Sequence, residues 1–332
     1  MSSLNFPPPP AGLTGWPWTL DKDRLPRAWS QETAPRLTII TPSFNHGRFI
    51  EETIRSIILQ GYPNLEFLVF DGGSSDETRD ILRKYDPWIT RWVSESDGGQ
   101  ADAINKGLAQ ATGSIVAWCN SDDYYLQGAF DAVASAFDQS SDSFFAGQVL
   151  NFIDGKPGFR LVAPKGLESA ELIRFWERKV VWHDPGLFFP KSVIDSVGLL
   201  DVSLRYAFDY DFLLRVRSRL RPHYLDRPVA CFRLHEVSKT VAQGEWLIRE
   251  TAEVSRRYWN LEGMRYSAHA RRAVSEDLAV LGTALIVRGN SRGISLLGEA
   301  LRNHPFASVR HVCAVVIRRV LRSLARIVGF SG

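Results

Sequence analysis

The stretch SIVAWCNSDD, residues 114–123, decides how this chain folds. A short apolar run, as expected of a strand buried on both faces, ends on two adjacent carboxylates, Asp122 and Asp123. Three similar runs precede it: LTIIT (37–41), LEFLVF (65–70) and TRWVSE (90–95). Helical patterns separate them. Ile50, Ile54, Ile57 and Ile58 share one face before Gly61 and Pro63 stop the first helix. Ser74 or Ser75 is placed to cap a second helix with Asp76 and Glu77 in its first turn. Ala101, Ile104 and Leu108 mark a third, closed by Gly113. Strands and helices in this alternation predict an α/β fold with a doubly wound, mainly parallel, Rossmann-like sheet. Such sheets bind ligands at the carboxyl ends of their strands. Here those ends carry Thr41-Pro42-Ser43, Asp71, Glu95 with Asp97, and Asp122-Asp123. Carboxylates crowded at one edge repel unless a cation joins them, and a divalent metal carrying a phosphate is the natural candidate.

The bulk composition is that of an ordinary globular chain. Of 332 residues, 45% are hydrophobic and 23% charged, and the net charge of +3 is too mild to imply nucleic-acid binding. Cys119, Cys231 and Cys313 are odd in number and far apart, which suits a reducing compartment rather than a disulfide framework or zinc knuckle. Residues 1–35 read as an extended leader in which Pro7 to Pro10 favour polyproline II and Trp16, Pro17 and Trp18 can lie against the main body. It lacks the basic-then-apolar pattern of a secretory signal, and no stretch reaches the apolar length of a membrane span, so the expected location is the cytoplasm.

The segments TPSFN, VFDGGSSDET and SESDGGQADAINKGLAQATGSIVAWCNSDD, in that order, resemble the family-2 glycosyltransferases of GT-A fold. The resemblance is strong from Leu37 to Asp123 and continues more weakly to Thr240 through HDPGLFF, LRYAFDYDFLLR and FRLHEVSKT. It implies that Thr41, Pro42, Ser43 and Asn45 line a nucleotide, that Asp71 bonds the base, and that Asp97 lies near base or ribose. Asp122 and Asp123 stand at the family's metal signature, Asp123 being the favoured ligand of Mn²⁺ or Mg²⁺. His235 matches a position that completes the metal site in some members. Asp209 falls where the family carries its general base, although Phe208 stands where many members have Glu, and Asp211 keeps the assignment open. His183 matches the acceptor side, and Asn105 lies between touching ligand and capping a polar pocket. The implied partners are a UDP-, GDP- or dTDP-sugar and a saccharide or lipid-linked acceptor, with transfer by inversion.

Each residue also has a plain structural reading. An Asp pair makes a solvated turn, DGGSSDET a helix cap, TPSFN a closed turn, and a lone His in a strand is commonly a hydrogen-bonded scaffold residue. The placement of four such loops on one edge favours function. A sugar-phosphate nucleotidyltransferase would want a Gly-rich basic phosphate loop, and a nicotinamide dehydrogenase G-x-G-x-x-G; TPSFNHG has neither. A nucleotide- or glycan-binding pseudoenzyme would have lost Asp122, Asp123 or Asp209, and all are present.

The expected domain is 36–242, with a helical C-terminal extension over 243–332. Residues 277–305 read as two helices joined at Gly289-Asn290, like one tetratricopeptide unit. Residues 309–328 read as an amphipathic helix with Arg318, Arg319, Arg322 and Arg326 opposite Val309, Val312, Val316, Val320, Leu324 and Ile327. Contact with the inner membrane surface, an ordinary packed helix and a homodimer contact are all open readings of that extension.

Overall fold

In the computed structural model, which describes residues 6–20, 29–137, 142–168, 172–173, 180–236, 244–259, 267–287 and 289–304, the four apolar runs form the parallel half of one sheet. Strands β1 (Leu37–Ser43), β2 (Leu65–Asp71), β3 (Arg91–Ser94) and β4 (Ile115–Trp118) lie in the order β3-β2-β1-β4, all parallel. Every residue of β1 and β4 is buried, as charge-free runs require. Helix α1 (Gly47–Ile58) buries its isoleucine face against Ile39, Phe67 and Val69. Helix α3 (Gln100–Gln110) lies on the other face, where Gly107 sits so close that a Cβ would stand 2.5 Å from the Ile40 side chain.

Helix α2 (Thr78–Tyr85) starts later than expected. Asp76 and Glu77 therefore precede its first turn. Asp76 caps it from outside, accepting from the Thr78 N–H at 3.1 Å, and also accepts from Gly47 N–H at 2.8 Å. Burial alone would raise the Asp76 carboxyl, but these donors hold it below its ordinary value. Ser74 caps no helix.

The rest of the sheet is mixed. It comprises β5 (Tyr124–Tyr125), β6 (Ser143–Ile153), β7 (Arg160–Val162), β8 (Leu187–Pro190) and β9 (Arg221–Leu234). The order beyond β4 is β8-β6-β9-β5, with β7 on β6. Strand β8 runs antiparallel to both β4 and β6, whereas the long β6–β9 pairing is parallel and bulged around Gln148. Helices α4 (Ala129–Ala136), α5 (Lys191–Val197) and α6 (Phe208–Arg217) complete this part. Phe189 links α6 to the sheet, stacked on Trp118 at 5.4 Å and edge-on to Phe212 at 5.3 Å.

The leader is held by α1. Arg55, 3% exposed, donates to the carbonyls of Pro7 (2.8 Å), Pro17 (3.3 Å) and Trp18 (3.1 Å). Its guanidinium also lies over the Phe6 and Trp18 rings. Trp16 donates to the Tyr125 carbonyl at 2.7 Å.

The described residues fall into two compact units: those up to Leu172 together with 180–236, and Ile173 with the residues from 244 onward. The second holds α7 (Gly244–Trp259), α8 (Ser267–Val287) and α9 (Arg292–Asn303). Helices α8 and α9 form the expected hairpin about Gly289, whose φ is 78°. They approach so closely that a Cβ on Gly293 would meet the Gly282 carbonyl at 2.3 Å. A two-pronged Arg249–Glu299 pair, at 2.7 and 2.5 Å, ties α7 to α9. The basic segment 309–328 lies outside the described residues. Among those described, no helix is long and apolar enough to cross a membrane.

Candidate active site

Register brings the strand ends together. Ser43 pairs with Asp71, and Asp71 with Ser94, across β1, β2 and β3. Asp71 is buried and accepts from the Ser74 N–H (2.9 Å), the Ser74 hydroxyl and the Ser94 hydroxyl (2.6 Å). Ser74 in turn accepts from the Asn45 N–H at 2.7 Å, and the Asn45 side chain accepts from Ser75 N–H at 2.9 Å. Asn45 adopts φ 53°, a left-handed conformation that Asn tolerates well. The loops after β1 and β2 are thus laced into one wall. Beside it, the buried hydroxyls of Thr41 and Ser43 have no hydrogen-bond partner. Orphaned donors of this kind are rare in a finished core and common where a ligand completes the set. Asp97 lies against Gly72 and accepts from Gly99 N–H at 2.8 Å; burial raises its carboxyl, and the nearby Asp71 adds to that.

The two carboxylates of Ser121-Asp122-Asp123 part company. Asp123, 1% exposed, turns inward and accepts the Arg233 N–H at 2.9 Å. Burial, then the adjacent Asp122 charge, pushes its carboxyl well above the ordinary range. Asp122 turns outward to His235, with Oδ2 2.9 Å from Nε2. Burial would raise Asp122 too, but the His235 hydrogen bond and the His46 and His235 charges hold it low. His46, in the loop before α1, completes a cluster: ligand atoms of His46, Asp122 and His235 lie within 4.8 Å of one another. Imidazole nitrogens and a carboxylate oxygen are donors that a divalent transition-metal ion takes. His46 Nδ1 is 2.7 Å from the Ser121 hydroxyl, and the Phe49 ring lies 4.8 Å from His235. Both imidazoles are thereby oriented from behind. Of the two carboxylates expected as metal ligands, Asp122 joins the cluster, while the turn after β4 aims Asp123 at the backbone of β9.

Arg233, 6% exposed, fixes that turn. It donates to the Asp122 carbonyl at 2.9 Å and to Asp154 at 2.8 Å, pairs with Glu52, and lies over Phe49 and Phe152. Arg233→Met would keep the apolar packing but leave Glu52 without its cation and Asp154 with Arg48 alone, an expected loss of up to about 3 kcal/mol. Burial already raises the Glu52 carboxyl against the opposing effect of Arg233. Without Arg233 the folded variant holds a proton there that the unfolded chain releases, so its stability falls as pH rises. Urea unfolding should therefore show a larger deficit near about pH 8 than near about pH 5.

On the far side, Asp209 lies in the first turn of α6, half-buried, and accepts from the Trp182 indole N–H at 3.3 Å. Asp211 is buried and paired with Arg215 at 3.0 Å, so of the two carboxylates Asp209 is the more accessible. His183 stacks on Phe232 at 4.3 Å, and burial pushes its imidazole down to about 4.

Residues 38–193 match the family described as Glycosyl transferase family 2. An uncharacterised glycosyltransferase of Mycobacterium tuberculosis (strain H37Rv) is 32% identical over 192 residues, 57% of this chain and 72% of that protein. The chain belongs to glycosyl transferase family 2. The Bacillus subtilis family member TuaG, named for teichuronic acid biosynthesis, is 36% identical over 145 residues, 42% of this chain and 58% of that protein. Two solved structures share the fold at low identity. Staphylococcus aureus TarS, residues 1–349, in complex with UDP-GlcNAc, has a TM-score of 0.57 at 18% identity over 83% of each chain. The mannosyltransferase PcManGT of Pyrobaculum calidifontis, in complex with GDP-Man and Mn²⁺, has 0.51 at 20% identity over 88% of this chain and 87% of that one.

Within this family 2 glycosyltransferase, the structure gathers Thr41, Ser43, Asn45, Asp71 and Asp97 at one edge and joins Asp122 to His235. Of the two readings left open for Asn105, the structure favours the structural one: both ends of its amide bond the Leu200 backbone, at 2.9 Å each, and clamp a loop onto α3. Sequence reasoning missed His46 and Arg233. The His in TPSFNHG was the available signal for the first. Arg233 had none, because its partners come from residues 52, 122 and 154.

Proposed function

We propose that this chain transfers a sugar from a nucleotide diphosphate sugar to a saccharide or lipid-linked acceptor, with inversion and with the help of a divalent ion. The observation that carries the reading is the His46–Asp122–His235 cluster at the same sheet edge as the unpartnered Thr41 and Ser43 hydroxyls. Two imidazoles and one carboxylate are poor ligands for Mg²⁺, so Mn²⁺ is favoured of the two expected ions. Such an ion supplies stabilisation of the negative charge on the departing diphosphate. His46, held through Nδ1 by Ser121, would present Nε2; His235 would exchange its bond to Asp122 for a shared ligand. Thr41 and Ser43 would donate to the nucleotide, and the Asp71 network would keep that wall rigid. Asp209, on a separate element, would take the acceptor hydroxyl's proton as the new bond forms. The donors held by TarS and PcManGT support a nucleotide sugar, and TuaG supports a role in polysaccharide synthesis.

Calorimetric titration of UDP, GDP and dTDP, with and without Mn²⁺, tests the reading. One nucleotide should bind at least about tenfold more tightly when Mn²⁺ is present. Binding of none under either condition would sink it.

A further inference from the structure

Trp182 and His183 are consecutive residues whose rings point to different elements. His183 stacks on Phe232 of β9, the neighbour of Arg233, at an interplanar angle of 19°. Trp182 stacks on Tyr210 of α6 at 5.9 Å and 21°. Tyr210 is itself anchored, its hydroxyl donating to the Leu172 carbonyl at 2.9 Å. From that plate the Trp182 indole N–H reaches Asp209 Oδ2 at 3.3 Å. A tryptophan could pack here through its ring alone; its single donor instead falls on the one carboxylate that the proposed reaction needs.

We propose that Trp182 is a positioning residue for Asp209, fixing the direction of the carboxylate and favouring its ionised form. The inference rests on Asp209 being the base. A side chain in the first turn of a helix has several rotamers, and a base must be held within a few tenths of an ångström to be effective. The indole N–H meets Oδ2 and so fixes one edge of the carboxylate. Charged side chains on the neighbouring elements have partners of their own. On its own helix, Arg215 is engaged by Asp211 and by the carbonyls of Val197 and Leu199. On α5, Lys191 pairs with Asp195. His183 is neutral at working pH, since burial pushes it down to about 4.

The test uses hydrolysis of the donor in the presence of Mn²⁺, with UDP-N-acetylglucosamine and GDP-mannose as probes and water as the acceptor. Water oxygen attacks the anomeric carbon, the bond to the diphosphate oxygen breaks, and Asp209 receives the proton. Trp182→Phe keeps an aromatic ring on Tyr210 but removes the N–H. Its kcat should fall roughly tenfold, with donor KM, nucleotide binding and Tm unchanged. The acidic limb of its kcat profile should move up by roughly half a pH unit, because loss of a donor disfavours the ionised carboxylate. Native kcat and limb in Trp182→Phe, or parallel losses of Tm and donor binding, would overturn the proposal. Asp209→Asn is measured alongside. If it hydrolyses donor like the native chain, the base assignment fails and the inference with it. If it is inactive while Trp182→Phe is native-like, the inference alone fails. Hydrolysis of neither donor by the native chain, despite tight nucleotide binding, also counts against both.

Discussion

Asp122→Ala should abolish the metal-dependent part of nucleotide binding while leaving the fold intact. Asp122 supplies the only carboxylate of the cluster and its side chain bonds His235 and no core residue. Losing the sole anionic ligand should weaken Mn²⁺-dependent binding by at least about 10²-fold, and kcat/KM by about 10³-fold, equivalent to about 4 kcal/mol of charge stabilisation. Thermal unfolding should shift little. Asp123→Ala is the informative contrast. It removes a buried acceptor from the Arg233 N–H, so it should destabilise the protein by about 1–3 kcal/mol, and its effect on binding should follow from the loosened turn. Calorimetry and urea unfolding on both variants separate the two. Equal loss of Mn²⁺-dependent binding at undiminished stability in Asp123→Ala would reverse their roles.

Asp209→Asn should leave nucleotide and metal affinity within about twofold of the native chain and reduce kcat by about 10²–10⁴-fold. The amide is isosteric, can still meet the Trp182 region, and cannot take a proton. The signature is therefore a pure loss of turnover: unchanged donor KM, unchanged Tm, collapsed kcat. Asp211→Asn should behave in the opposite way. Its carboxylate is engaged by Arg215 within α6, so the variant should lose stability before it loses rate. Steady-state kinetics on the two variants decide which of these carboxylates is the base. A kcat deficit confined to Asp211→Asn would overturn the assignment.

The parallel half of the fold was legible because β1, β2 and β4 are buried and carry mostly apolar runs. LTIIT and SIVAWC allow no other placement in a chain that also shows helical periodicity between them. The mixed half was not legible. In SFFAGQVLNFI and RPHYLDRPVACFRL the alternation is broken by a bulge at Gln148 and by Pro222 and Pro228, so neither period stands out. Site residues divide in the same way. Strand register placed Thr41, Ser43 and Asp71 correctly at one edge. Past the end of β4 no period applies, and the choice between Asp122 and Asp123 depends on β9, more than a hundred residues on. Asn105 stayed open between two readings because a polar side chain in NKGLAQATG shows nothing of the Leu200 loop that it bonds. A His beside Gly in TPSFNHG reads as turn chemistry until α1 is folded against the Ser-Asp-Asp turn.

Arg55 has a wider consequence. One helix, α1, starts next to His46 and ends at the guanidinium that gathers the carbonyls of Pro7, Pro17 and Trp18. The family match begins at residue 38, so this anchoring segment lies outside the matched region. A chimera that grafts residues 38–193 onto another member would strand a buried cation at one end of α1 and unsettle an imidazole at the other. Interchange with another member is therefore constrained away from the strand ends: the matched half and the leader that Arg55 holds must move together.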